Sequence, residues 1–156
     1  MSETNAPSRP SELPETFLLG ATAEITKNGV RGIDFTDEGR NTKDIVYVMA
    51  LEDGRVIRVG ETKGSLAARW SRPLGWLDVE SESAPGRPNE ANDMSRLRNA
   101  LDGSVLAIWV KEAEKHSISY LGSDESVSLR HSEEVYLDRV LQPVVGRPLS
   151  PREQSR

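Results

Sequence analysis

Residues 44–70, DIVYVMALEDGRVIRVGETKGSLAARW, decide how the rest of the chain is read. Ile45 to Leu51 is β-branched and apolar, Asp53-Gly54 tolerates the positive φ of a tight reversing turn, and Val56 to Val59 is β-rich again. This predicts a β-hairpin. With Asp53-Gly54 as a two-residue loop, paired positions sum to 107, so Tyr47 stands opposite Gly60 and Met49 opposite Arg58. Side chains alternate faces with period two, which puts Tyr47, Met49, Arg58 and Gly60 on one face. A phenol and a guanidinium then lie diagonally near each other, and the glycine leaves the space beside the phenol open. Beyond the second strand, Ser65 is placed to cap a helix that carries Leu66, Arg69 and Trp70 and that Pro73 ends.

Working outward, 156 residues are one domain's worth, enough for a modest core. With 36% hydrophobic and 29% charged residues, the composition is that of a folded polar-surfaced protein, not of a disordered chain. The net charge of −5 argues against general coating of nucleic acid. The distribution says more. Between Arg55 and Trp76, Arg55, Arg58, Lys63, Arg69 and Arg72 face one acidic residue, Glu61, a local balance of +4 on an acidic body. That suits a polyanion held at one place, although a solvated hairpin and helix face is the commoner meaning of such a cluster. The absence of cysteine excludes disulfides, thiolate zinc sites and cysteine nucleophiles, and fits a cytoplasmic protein. No apolar run is long enough to span a bilayer, so no membrane role is expected.

Residues 1–15, with Pro7, Pro10 and Pro14, read as a disordered tail. Residues 16–43 read as an extension, a short helix over Thr16 to Lys27 followed by a polar, glycine-bearing loop. After the hairpin and its helix, residues 74–92 form a long surface loop. Met94, Leu97 and Leu101 mark a second helix, with Arg96 and Arg98 off its apolar line. Val105 to Val110 is apolar in both phases, as in a strand covered on both sides. Ser117 to Leu121 alternates as a short strand. Ser132 offers a cap for a last helix, Glu133 to Gln142, with Leu137, Val140 and Leu141 inward and Pro143 closing it; residues 148–156 are a tail.

On that helix, Glu133 falls about 20° from Val140 and Glu134 about 20° from Leu141, so geometry alone does not choose between the two carboxylates. Both have a plain role as acids stabilising the helix N-terminus. His116 and His131, far apart in polar surroundings, read as surface residues; they do not make a zinc centre, and no nucleophile elbow accompanies them.

Tyr47, the tripeptide Arg58-Val59-Gly60 ten residues on, then Thr62, Leu66 and Arg69 resemble the signature of the GIY-YIG nucleases. Ile45-Val46-Tyr47 stands for the first tripeptide without its glycine, and Arg58 stands where the family usually has tyrosine. Glu134 lies nine residues before Pro143, as the family's metal-binding glutamate lies before a proline, with Gly146 where an asparagine is usual. The resemblance implies a domain over residues 44–147 of α/β class, with a small three-stranded, mainly antiparallel sheet flanked by helices in β-β-α-β-α order. It also implies a metal-dependent endonuclease acting on nucleic acid, DNA ahead of RNA. In it, Arg69 would offset phosphate charge, Glu134 would hold Mg²⁺ or Mn²⁺, and Tyr47 would handle the proton of the attacking water. Arg58 would stabilise the Tyr47 phenolate, and Lys63 and Arg72 would touch the nucleic acid. A protein partner would help choose the target. The competing readings are a catalytically degenerate binding or protein-interaction domain on the same scaffold, and a small regulatory protein whose likeness is accidental.

Overall fold

Seven strands and three helices follow one another in chain order: β1 (Leu18–Thr26), β2 (Gly29–Phe35), α1 (Asp37–Asn41), β3 (Ile45–Leu51), β4 (Val56–Thr62), α2 (Leu66–Arg69), β5 (Val105–Glu112), β6 (Lys115–Tyr120), β7 (Ser123–Ser128) and α3 (Arg130–Leu141). They belong to a computed structural model that describes residues 7–69 and 98–143.

Five strands form one sheet in the order β2-β1-β5-β3-β4, every neighbouring pair antiparallel, and β6 and β7 pair only with each other. The twofold-apolar run at Val105 becomes the central strand. Because both sheet faces are covered, alternate residues of one strand enter different cores. Ile45, Tyr47, Met49 and Leu51 join Ile25, Leu66, Ile108 and Val110 on one side. Val46, Val48 and Ala50 join Phe17, Trp109 and Leu137 on the other.

The β3–β4 register places Tyr47 opposite Gly60 and Met49 opposite Arg58, as the spacing predicts. The loop differs. Gly54 N–H donates to Leu51 O at 2.9 Å and Leu51 N–H to Arg55 O at 2.8 Å, so three residues, Glu52-Asp53-Gly54, turn the chain, with Gly54 at φ +92°. Ala50 then pairs with Val56, and a bulge before Met49↔Arg58 inserts Ile57. The extra loop residue and the bulge compensate, and the 107 register is recovered beyond it.

The N-terminal part corrects several expectations. Thr16 to Lys27 is not a helix but contains β1, whose Ala21, Ala23 and Ile25 are buried at period two against β5. The expected loop after it contains β2 and the short α1, capped by Thr36, whose Oγ accepts from Gly39 N–H at 3.2 Å. Residues 7–15, expected as a disordered tail, lie on the second core. Leu13 is buried and the Arg9 guanidinium sits 4.8 Å from the Trp109 ring centroid. The sheet therefore has five strands, not three, because the extension supplies two of them.

Residues 98–101 are helical and Leu101 is buried as expected, but Arg98 is buried too, its Nε donating to Lys27 O at 3.3 Å. Met94, Leu97, Trp70, Arg72 and the 74–92 loop lie outside the described residues. The expected strand near Ser117 is β6, and it has a partner, β7, that carries no apolar alternation. The last helix starts at Arg130, not at Glu133. Ser132 is not its cap: Leu129 holds that position without a side-chain bond, and Ser128 Oγ accepts from Arg130 N–H at 3.3 Å. Leu137 is buried and Leu141 partly so, whereas Val140 is exposed.

Candidate active site

Tyr47 sits mid-strand in β3, between Val110 of β5 and Gly60 of β4. Its ring fills the room that a side chain at position 60 would take: a Cβ there would stand 2.6 Å from Tyr47 Cε2 and closer still to Cζ and Oη. The glycine thus lets a large ring lie against the β4 backbone, where Tyr47 is buried.

Three other elements bring charge to that ring. Arg58 arrives on β4, two residues before Gly60 on the same face. Arg69 arrives at the end of α2, which Ser65 starts by accepting the Ala68 N–H at 3.1 Å and which Leu66 pins into the core. Glu134 arrives on α3, which packs along β4. The Tyr47 hydroxyl senses Arg58, Arg69 and Glu134 electrostatically and shares a hydrogen bond with Arg69. Burial pushes the phenol above its usual 10.0, more than Arg58 and Arg69 draw it down, while the Glu134 carboxylate adds to the rise. The expectation that Arg58 makes a phenolate available is corrected in its net sign. Arg58 acts in the anticipated direction, but desolvation outweighs it. Since a guanidinium only donates, the Arg69 bond ends on the phenol oxygen and leaves the Tyr47 proton to point elsewhere.

The choice between the two glutamates follows from strand β5. Lys111 Nζ lies 2.5 Å from Glu133 Oε1, so Glu133 is held by an ion pair at the second core while Glu134, one residue on, faces Tyr47. The start of α3 is tied down further. Arg130 donates from Nη1 to Asp44 and from Nε to Glu61, and Ser128 Oγ bonds Asp44 Oδ1 at 2.8 Å. Asp44 itself takes the left-handed φ of +55°, which a short polar side chain tolerates, and its carbonyl accepts Ala113 N–H at 2.8 Å. Burial alone would raise the Asp44 carboxyl; the hydrogen bonds from Ser128 and Arg130 and the positive charges of Arg130 and Lys115 more than reverse it, holding it below 3.8. Arg130 stands one helical turn before Glu134, so this cluster fixes the end of the helix that presents the carboxylate. Arg130, Asp44, Glu61 and Lys111 went unremarked as supports in the sequence, since partners more than twenty residues apart leave no local pattern.

The remaining basic residues do not converge. Arg55 pairs with Asp53 at 3.1 Å in the hairpin turn, Lys63 is exposed at the end of β4, and Arg72 lies outside the described residues. His116 and His131 are exposed. Among the described residues no group of three or more His, Asp or Glu gathers as a metal cage. The donor set at Tyr47 is a single carboxylate, Glu134, with open room for water or phosphate oxygens. That fits a hard cation such as Mg²⁺, which commonly binds through one or two carboxylates and substrate phosphates.

No protein-family model and no curated protein sequence matches the chain. Among solved structures, it is similar to bacteriophage T4 EndoII, solved as a glutamate-to-alanine mutant, with a TM-score of 0.57 and 13% identity over 85% of this chain and 92% of that one. It is also similar to the restriction endonuclease Hpy188I, in complex with product DNA, with a TM-score of 0.44 and 15% identity over 82% of this chain and 75% of that one. Both are GIY-YIG nucleases. The likeness to EndoII is one of fold, and the α/β architecture is GIY-YIG-like.

Proposed function

We propose that this protein is a metal-dependent endonuclease that hydrolyses phosphodiester bonds in nucleic acid, with DNA as the first substrate and RNA the second. The observation that carries the reading is the convergence of Arg58, Arg69 and Glu134, from three separate elements, on the hydroxyl of Tyr47.

In this reading Arg69 donates short, charge-assisted hydrogen bonds to a phosphate oxygen as negative charge grows on it during attack. Glu134 is the residue that would hold a Mg²⁺ or Mn²⁺ ion, which supplies Lewis-acid polarisation of the phosphate and assistance to the leaving oxygen. Tyr47, protonated at neutral pH because burial holds its pKa up, orients the attacking water or a phosphate oxygen through its hydroxyl and relays a proton as the bond changes. Arg58, where the family usually has tyrosine, is the largest of the influences that draw the phenol toward ionisation. Lys63 and Arg72 are assigned to the nucleic-acid backbone beyond the reacting phosphate.

The raised phenol and the arginine at position 58 also give weight to a second reading, a module that grips nucleic acid without cutting it. Incubating supercoiled DNA and a structured RNA with the full chain in Mg²⁺, in Mn²⁺ and in a chelator separates the two. Cleavage that the chelator abolishes supports the enzyme. Retention of nucleic acid without cleavage in either metal supports the binding module and removes the proposal.

A further inference from the structure

The β6–β7 ribbon carries the pattern of a half-buried hairpin, yet it stands as a two-stranded sheet of its own. Directly opposed residues share a face, so His116, Ile118 and Tyr120 lie with Val127, Glu125 and Ser123 on one side. The other side is Lys115, Ser117 and Ser119 with Ser128, Ser126 and Asp124. One face is therefore apolar in its middle and the other is mostly serine. The apolar side chains are bare: Ile118 is 42% exposed, Val127 40%, Tyr120 64% and Leu121, in the turn, 89%. Every residue of β6 is exposed.

Two physical facts make this arrangement costly as it stands. A lone two-stranded hairpin is marginal in water without something packed on its apolar face. Leu121 and Gly122 form the tight turn with φ +51° and +79°, and a leucine in the left-handed region loses backbone energy while displaying its side chain to solvent. Burial of that side chain would offset both.

We propose that the apolar face of this ribbon is an isologous contact with a second copy of the same chain. The charges select that occupant. Lys115 stands at the base, while Asp124 and Glu125 stand in the outer half. A two-fold axis crossing the ribbon near its middle lays base against tip, bringing each lysine toward the acidic half of the other copy. The same operation carries Tyr120 and Leu121 over Val127 of the second ribbon. A nucleic acid fits poorly, because the two carboxylates outnumber the one lysine on the ribbon.

The test is sedimentation velocity on the full chain over a concentration series into the tens of micromolar, and it does not depend on whether the protein cleaves anything. The parent is expected to reach a dimer. Ile118→Thr combined with Leu121→Asn is expected to leave a monomer over the same range, with far-UV circular dichroism and the melting of the five-stranded sheet retained, since both side chains are on the surface. Lys115→Glu is expected to weaken the dimer, and Lys115→Glu with Asp124→Lys to restore it. A parent that stays monomeric overturns the proposal, whether another segment of the chain or a different protein then covers the face. So does a folded double variant that dimerises as tightly as the parent.

Discussion

The ring of Tyr47 lies against the backbone of Gly60, its cross-strand partner, so closely that any side chain at position 60 would overlap the phenol. Gly60→Ala is accordingly expected to cost about 1–3 kcal/mol of stability, the usual range for overpacking a filled interior. It should also move the Tyr47 ring signals in an NMR spectrum. A denaturant titration reads the first effect; an unchanged midpoint with unchanged ring shifts would mean that the ring has room to spare.

Burial, not charge, dominates the Tyr47 hydroxyl. In a background with Tyr120→Phe and Tyr136→Phe, the remaining tyrosine should titrate above 10.0 by tyrosinate absorbance. Arg58→Ala should raise it further, because a charge that draws it down is removed, and Glu134→Gln should lower it. Since the folded chain resists ionisation that the unfolded chain accepts, stability should fall as pH rises past the ordinary tyrosine value, and Tyr47→Phe should flatten that fall. A parent that titrates below 10 contradicts this account.

The Asp44–Arg130–Glu61 cluster should matter to stability at neutral pH and to the position of α3. Arg130→Met leaves two partly buried carboxylates without their donor and is expected to destabilise by about 1–3 kcal/mol. The acid side carries a sign. Asp44 is held below 3.8, so its contribution is full above that value and fades as pH falls through the depressed one. The difference in unfolding free energy between parent and Arg130→Met should therefore shrink on acidification. A gap that stays constant from neutral pH down to the acid limit would place the stabilisation elsewhere.

Lys111 and Glu133 offer a control on the identity of the working carboxylate. Glu133→Gln should reduce stability while leaving any cleavage largely intact, since Glu133 faces Lys111 and not Tyr47. Parallel melting and cleavage assays check this. Cleavage lost in Glu133→Gln but kept in Glu134→Gln would reverse the assignment.

What the sequence revealed follows from how local each signal is. The pairing of Tyr47 with Gly60 was legible because strand alternation and a glycine-bearing turn lie within twenty residues, and a loop read one residue too short was compensated by the bulge at Ile57. The start of α2 at Ser65 was legible for the same reason. The strand β1 was not, because its inward residues Ala21 and Ala23 are small, favour helix on their own, and become strand only through pairing with β5. The strand β7, SDESVS, has no apolar alternation and is held by the turn at Leu121-Gly122 and by β6. The decision between Glu133 and Glu134 needed Lys111, more than twenty residues away on another element. The start of α3 was misplaced because Ser132 resembles a cap, while the real anchor is Arg130 bound to two distant strands' ends.

The most direct test is single-turnover cleavage in saturating Mg²⁺ by the parent, Arg69→Ala and Glu134→Gln, with binding of the same substrate measured alongside. Loss of a donor to developing phosphate charge should slow Arg69→Ala by about 10²–10³-fold. Glu134→Gln should lose metal-dependent cleavage while still retaining substrate. A Glu134→Gln protein that cuts at the parent's rate would contradict a shared site at Tyr47, Arg69 and Glu134.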